Sequence, residues 1–272
     1  MPDGSGMELI MKKKLLALLF AFLMLLSVSS CKKSGGDETD DSTVNTGAEE
    51  TSNLSTSDYT VTIREDIQVV HESEDGRRST KTLRYPELSG MADAELEKSI
   101  NDAFRSAAEA EYKKNLPDVD IYIIEDTLFN YEVASVEVTY LSNKFISVRN
   151  SVYLMTSVLD IPDEPVYCIN MTLDDGKILD EDDIFGDFNA AASNFIDGRF
   201  SQVYGIDNLM AETSFEDMIL QYKSDYASYP EVWFTPELFC MNIDLVPALG
   251  TSAGFSIPLS EAEEFLQFMP EK

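Results

Sequence analysis

Val166-Tyr167-Cys168-Ile169-Asn170-Met171-Thr172-Leu173, then Asp174-Asp175-Gly176, then Lys177-Ile178-Leu179: this stretch decides the fold class. A run of strand formers meets two acids and a glycine, and a second short apolar run follows. The glycine supplies the positive φ that a tight hairpin turn needs, so the spacing predicts an antiparallel strand pair, and the acids around it have a structural use. Working outward, Ala134, Val136, Val138 and Tyr140 alternate with Ser135, Glu137 and Thr139; after Ser142-Asn143 the run Ile146, Val148, Val152, Leu154 alternates again. That is a hairpin with one wet face. Nearer the N-terminus Tyr59, Val61, Ile63, Ile67 and Val69 share one face of a period-two pattern, and Asp75-Gly76 turns the chain into Thr80 to Tyr85, another hairpin.

Elsewhere the apolar residues recur at helical spacing. Leu96, Ile100, Ala103, Phe104 and Ala107 predict a helix from about Ala92 to Lys114, closed by Pro117. Phe188, Ala191, Ala192, Phe195, Ile196, Phe200 and Val203 predict a second. Phe215, Met218, Ile219, Tyr222 and Tyr226 predict a third, opened by a capping box of Thr213 and Glu216. Trp233-Phe234 and Leu238 to Leu245 read as strands, and Ser260 with Glu263 caps a last helix carrying Phe265, Leu266 and Met269. This order is α+β: antiparallel sheets with hairpins, packed against several amphipathic helices. The domain is expected over residues 58–272, with a subdivision near residue 130 left open.

Tyr85-Pro86, Val152-Tyr153-Leu154, the stretch from Cys168 to Leu179 leading to Asp183-Ile184-Phe185, and Phe234 to Gly254 before Ile257-Pro258-Leu259-Ser260 carry a resemblance. From about Tyr59 to Met269 the chain resembles an extracytoplasmic α+β domain, a domain of unknown function. It is shared by lysozyme-sensing anti-sigma factors and the N-terminal region of some peptidoglycan deacetylases. The resemblance implies recognition of lysozyme, a strongly basic protein, with binding that exposes the sensor to proteolysis. The chain departs from those sensors in having no transmembrane segment and no cytoplasmic sigma-factor-binding part. The family's glycine- and histidine-containing loop corresponds to Met155 to Pro165, which has neither residue.

At the N-terminus Lys12, Lys13 and Lys14 precede an apolar run from Leu15 to Leu26, and small residues then lead to a cysteine. This is a signal-peptide layout; the apolar run is far shorter than the roughly 20 residues a spanning helix needs. Val28-Ser29-Ser30-Cys31 resembles the lipobox of bacterial lipoproteins, which implies cleavage after residue 30 and a diacylglycerol thioether on Cys31. Met11 offers a second start. Two or more acyl chains, at about 0.8 kcal/mol per buried CH₂, hold a protein to a membrane stably. From Lys32 to Ser57 the residues are polar and acidic, a tether of about 26 residues with a span of roughly 25 to 30 Å. The expected location is therefore the extracytoplasmic face of the cell membrane.

Fifty acidic residues stand against 20 basic ones, a formal net charge of -30. Such a chain repels a phosphate backbone, which excludes nucleic acid as a partner; its acidity serves solubility or steers a cationic ligand. With Cys31 taken by lipid, Cys168 and Cys240 remain, as a disulfide or as two buried thiols. His71 is the only histidine and no metal motif accompanies it, so no catalytic residue, metal or cofactor is assigned. Asp174, Asp175, Asp180, Glu181, Asp182 and Asp183 lack the spacing of an EF-hand loop and read as a turn followed by an acidic helix start. The expected function is non-enzymatic: a lipid-anchored binding or sensing domain for a cationic, lysozyme-like protein or a cell-envelope component. The alternatives are a cell-wall-acting hydrolase, which needs a clustered acid pair in a cleft, and a structural accessory subunit of an envelope complex, which needs an open apolar patch.

Overall fold

A computed structural model describes residues 54–56, 58–117, 119–124, 127–157, 162–205, 214, 216–218, 230–245 and 252–271. Cys31, the predicted signal peptide and nearly all of the predicted tether lie outside them. The fold is α+β, built on two sheets. The larger has the strand order β1-β2-β3-β4-β5-β6: Leu54–Ser55, Thr60–Glu72, Arg78–Ser89, Phe129–Leu141, Phe145–Thr156 and Val166–Thr172. The smaller has the order β7-β10-β9-β8: Ser201–Tyr204, Ser252–Pro258, Leu238–Asp244 and Glu231–Phe234.

All neighbouring strands are antiparallel except β3 and β4, where Thr80 to Thr82 run parallel to Asn130 to Glu132. A parallel pair cannot be joined by a tight turn, and here the crossover is α1 (Ala94–Asn115) followed by α2 (Val119–Ile124). Asp93 caps α1 by accepting from the N–H groups of Glu95 and Leu96; Glu95 and Glu97 occupy its first turn, and Lys113 and Lys114 its last. Its buried face, including Ile100, Phe104, Ala108 and Tyr112, packs with Leu83, Tyr131, Val133, Val148 and Ile169 into the first core. Truncating Phe104, wholly buried, to alanine would cost about 3 to 5 kcal/mol.

A second core lies around the smaller sheet and is rich in aromatic rings. Phe195 meets Phe255 edge-on with ring centroids 4.9 Å apart, Phe234 lies 5.5 Å from Phe239, and Phe239 lies 5.8 Å from Phe265. The helices here are α3 (Glu181–Ile184), α4 (Phe188–Ile196) and α5 (Leu259–Ala262).

The hairpins that the alternation predicts are present, and Gly76 and Gly176 take positive φ at 82° and 69°. The return arm after Gly176 is shorter than a strand. It makes one bridge, Met171 to Ile178, with Thr172 N–H donating to the Lys177 carbonyl and Leu179 N–H to that of Asn170.

Other expectations need correction. The face predicted to be wet along 146–154 is covered where the smaller sheet lies across β5 and β6. Ser147 and Asn170 are buried there and bind the free edge of β8: Asn170 Nδ2 donates to the Val232 carbonyl at 2.8 Å, and Phe234 N–H donates to Ser147 Oγ at 3.0 Å. Polar residues in an alternating strand thus do the work of a neighbouring strand. The helix predicted through Val203 ends at Ile196, because Gly198 adopts φ 73° and Arg199 N–H turns back to the Asn194 carbonyl; Phe200 is buried beyond it and Val203 sits on β7. The last helix stops at Ala262 with no side-chain cap, and Ser260 lies inside it. Phe265 and Leu266 instead follow in a turn, their N–H groups donating back to the Ala262 carbonyl, and form a clasp, with Leu266 bridging Phe185 and Gly186 N–H donating to the Phe265 carbonyl. In the predicted third helix, Ser214 Oγ accepts from Asp217 N–H at 3.1 Å; Thr213, Phe215, Ile219, Tyr222 and Tyr226 lie outside the described residues. Finally, Leu54 and Ser55, read as tether, pair with Val61 and Thr60, so the sheet starts before residue 58.

Candidate functional site

A cleft of about 560 Å³ opens where the far end of β5 meets the edge of the smaller sheet, lined by Arg149, Ser151, Glu164, Tyr204 and Ser252 among others. Its construction starts at a glycine. Gly254, on β10, has no side chain, and a Cβ built there would come within 2.0 Å of Tyr204 Cε1. The Tyr204 ring therefore occupies space that every other residue type would fill. Its hydroxyl donates to Asn242 Oδ1, and Asn242 Nδ2 donates to Asp244 Oδ1 at 2.9 Å, which holds the ring from the other end.

Arg149 projects from β5 against this ring. Its guanidinium carbon is 4.4 Å from the Tyr204 centroid and 5.5 Å from that of Trp233 on β8, within cation–π range of both. Its side chain is 17% exposed, and the nearest carboxylate among the described residues, Glu137, is 3.7 Å away. The Nε atom is buried with no hydrogen-bond partner among the described residues. Burial raises the Tyr204 hydroxyl above its ordinary pKa, and the Arg149 charge opposes that rise.

Further along β8 stands Glu231. Its carboxylate accepts the Cys168 N–H at 2.8 Å, which covers an open edge position of β6, and Lys114 Nζ is 3.9 Å away. Burial nevertheless dominates and pushes its pKa up to about 7, with the Cys168 N–H and Lys114 acting against it. Burial also raises Asp244, opposed mainly by Lys114. Cys168 and Cys240 are free thiols, Cys240 buried on β9, and burial pushes both pKa values up, that of Cys240 to about 12. A protonated thiol is a poor nucleophile, so neither is activated for chemistry.

The acids named by the sequence serve the backbone. Asp180 and Asp183 form a capping box at α3, and Lys177 bonds Asp183 at 2.5 Å, which lowers that carboxyl's pKa. Asp175 accepts from Thr172 and from Lys177 N–H inside the turn. Among the described residues no group of three or more His, Cys, Asp or Glu side chains is arranged to hold a metal ion. His71 lies on β2, and Cys31 lies outside the described residues. The sequence reading passed over Arg149, Tyr204 and Trp233. The available signals were chemical: an arginine inside an alternating apolar run, and the single tryptophan of the chain.

No protein-family model matches the chain, and no curated protein matches it. Among solved structures it is similar to a DUF3298 family protein from Bacteroides fragilis, at 14% identity with a TM-score of 0.52, over 76% of this chain and 93% of that one. The chain has the fold of a DUF3298 protein. A second protein of that family, from Pseudomonas aeruginosa, matches over 79% of this chain and 97% of its own, at 12% identity with a TM-score of 0.48. The DUF3298 fold is that of a domain of unknown function, the kind of α+β domain that the sequence resembles.

Proposed function

We propose that this chain is a lipid-anchored extracytoplasmic binding domain that receives a cationic, lysozyme-like protein through its acidic exterior. The signal layout and the lipobox-like Val28-Ser29-Ser30-Cys31 support its location. The observation that carries the binding reading is how charge is spent. Most described cations sit within hydrogen-bond distance of a carboxylate of the same domain, as Arg78, Arg84, Lys98, Lys144 and Arg199 do. What is left over is acid. It gathers where the Asp174-Asp175 turn meets the start of α1: a Cβ on Gly176 would stand 3.2 Å from Ile100 and 3.7 Å from Leu96, which brings the first turn of α1, carrying Glu95 and Glu97, to that turn, with Asp180 and Glu181 following. A surface of one sign raises the encounter rate of a basic protein and weakens with salt.

The test is calorimetric titration of the chain with a lysozyme at low and at near-physiological salt. Stoichiometric binding that survives the higher salt supports the reading. Heat seen only at low salt, or none at all, overturns it.

A further inference from the structure

The cleft beside Arg149 holds a feature that an acidic exterior does not explain. In a chain with 50 acidic residues, a guanidinium lines a cavity with no hydrogen-bonded carboxylate among the described residues. Glu137 stops at 3.7 Å, outside hydrogen-bond distance, with its own side chain 64% exposed. Stacking on Tyr204 and Trp233 fixes the plane of the guanidinium and offsets part of its lost hydration, but supplies no charged acceptor. An arginine held by rings is already oriented to receive one, and the entropy of ordering it does not have to be met at binding.

The geometry points to a binding site for the carboxylate of a small ligand, anchored on Arg149. One guanidinium can donate two parallel bonds to a planar carboxylate. A phosphate dianion would bring more negative charge toward Glu137 and Glu164 with no second cation among the described lining residues. The walls indicate what carries the carboxylate. Ala134, Val152 and Val166 are apolar, while Ser151, Tyr153 and Ser252 bring hydroxyls. Small apolar groups next to hydrogen-bonding ones match the C-terminal end of a short peptide with small side chains. This site is independent of the acidic surface, so lysozyme binding and carboxylate binding stand or fall separately.

The experiment titrates the full chain with N-acetyl-alanyl-alanine, with the same dipeptide as its C-terminal amide, and with inorganic phosphate, reading the fluorescence of Trp233. The free acid is expected to give a saturable change, with the amide and phosphate each weaker by about tenfold or more, as for loss of a charged hydrogen-bond partner. Arg149→Gln is expected to weaken the acid by the same factor while leaving lysozyme titration unchanged. Glu137→Gln removes the competing carboxylate at an exposed position and is expected to tighten the acid severalfold, a gain that a misfolded variant does not produce. Acid and amide binding alike, phosphate binding best, an unaltered Arg149→Gln, or no gain in Glu137→Gln each overturns the proposal.

Discussion

Glu231→Gln should make the protein more stable above neutral pH and leave it almost unchanged in acid. Burial lifts this carboxyl from 4.5 to about 7 in the folded chain. The unfolded chain gives up the proton near pH 4.5 and the folded chain keeps it until about 7. Raising the pH across that interval therefore favours unfolding; the stability is full below the lower value and the loss is complete above the higher one. The shift corresponds to about 3 kcal/mol at 1.36 kcal/mol per unit, which solvent screening of a side chain 28% exposed reduces to about 2. Glutamine keeps an acceptor oxygen for Cys168 N–H, and Lys114 keeps Glu111 at 3.3 Å, so the variant loses the penalty without losing the contacts. At roughly 2 to 4 °C per kcal/mol for a domain of this size, the variant should melt about 4 to 8 °C higher at pH 8 and within a degree or two of the parent at pH 4.5. Thermal unfolding followed by circular dichroism at both pH values reads this directly. A less stable variant at pH 8 would show that Glu231 is ionised and held by Lys114, and an equal shift at both would show that the change does not act through its proton; in either case the burial argument fails.

Gly254→Ala drives a methyl into the Tyr204 ring and should cost about 2 kcal/mol or more while shifting the emission of Trp233; an unmoved spectrum would contradict the stacked arrangement. Ser147→Ala strips partners from Phe234 N–H and Asn170 Oδ1 in a buried place, and a loss of about 1 to 3 kcal/mol by urea titration is expected, whereas a neutral result would mean that β8 is not pinned through its edge. Cys240, 2% exposed with its thiol pushed up to about 12, should resist a thiol reagent at pH 8 until the chain unfolds; rapid labelling of the folded protein would refute its burial.

Strand alternation and helical spacing made the hairpins and the long helix legible, as along Leu96 to Ala107, but alternation misjudged which face is covered at the far end of β2, where Ile67 and Val69 share the predicted face of Val61 and yet are 64% and 53% exposed. Local pattern failed where two distant segments meet. Ser147 and Asn170 look like solvent-facing strand residues, and only the arrival of β8, 87 residues after Ser147 and 62 after Asn170, makes them interior ones. Phe200 and Val203 extend the periodicity of the preceding helix by coincidence, and Gly198, which ends that helix, is a stronger signal than the phenylalanine beyond it. The cleft was hidden for the same reason. Arg149, Tyr204 and Trp233 come from three strands in two sheets, and what brings them together is the missing side chain of Gly254, a requirement of packing that no periodicity records.

The clasp formed by the end of the chain has a consequence for the order of folding. Everything in the first core lies between Tyr59 and Leu173, so that half is able to collapse as soon as it is made. The second core cannot, since β8, β9, β10 and the Phe265–Leu266 clasp are the last parts to appear, and the aromatic face of α4 must wait for them. During that wait Phe195 and its neighbours stay uncovered and prone to aggregate. A chain ending at residue 230 is expected to keep a protease-resistant fragment from its first half and to lose the second; digestion of the whole would show instead that the halves fold as one. On the proposed extracytoplasmic location, which would have the chain cross a membrane before it acts, late closure by the clasp would delay the folded state until passage is complete.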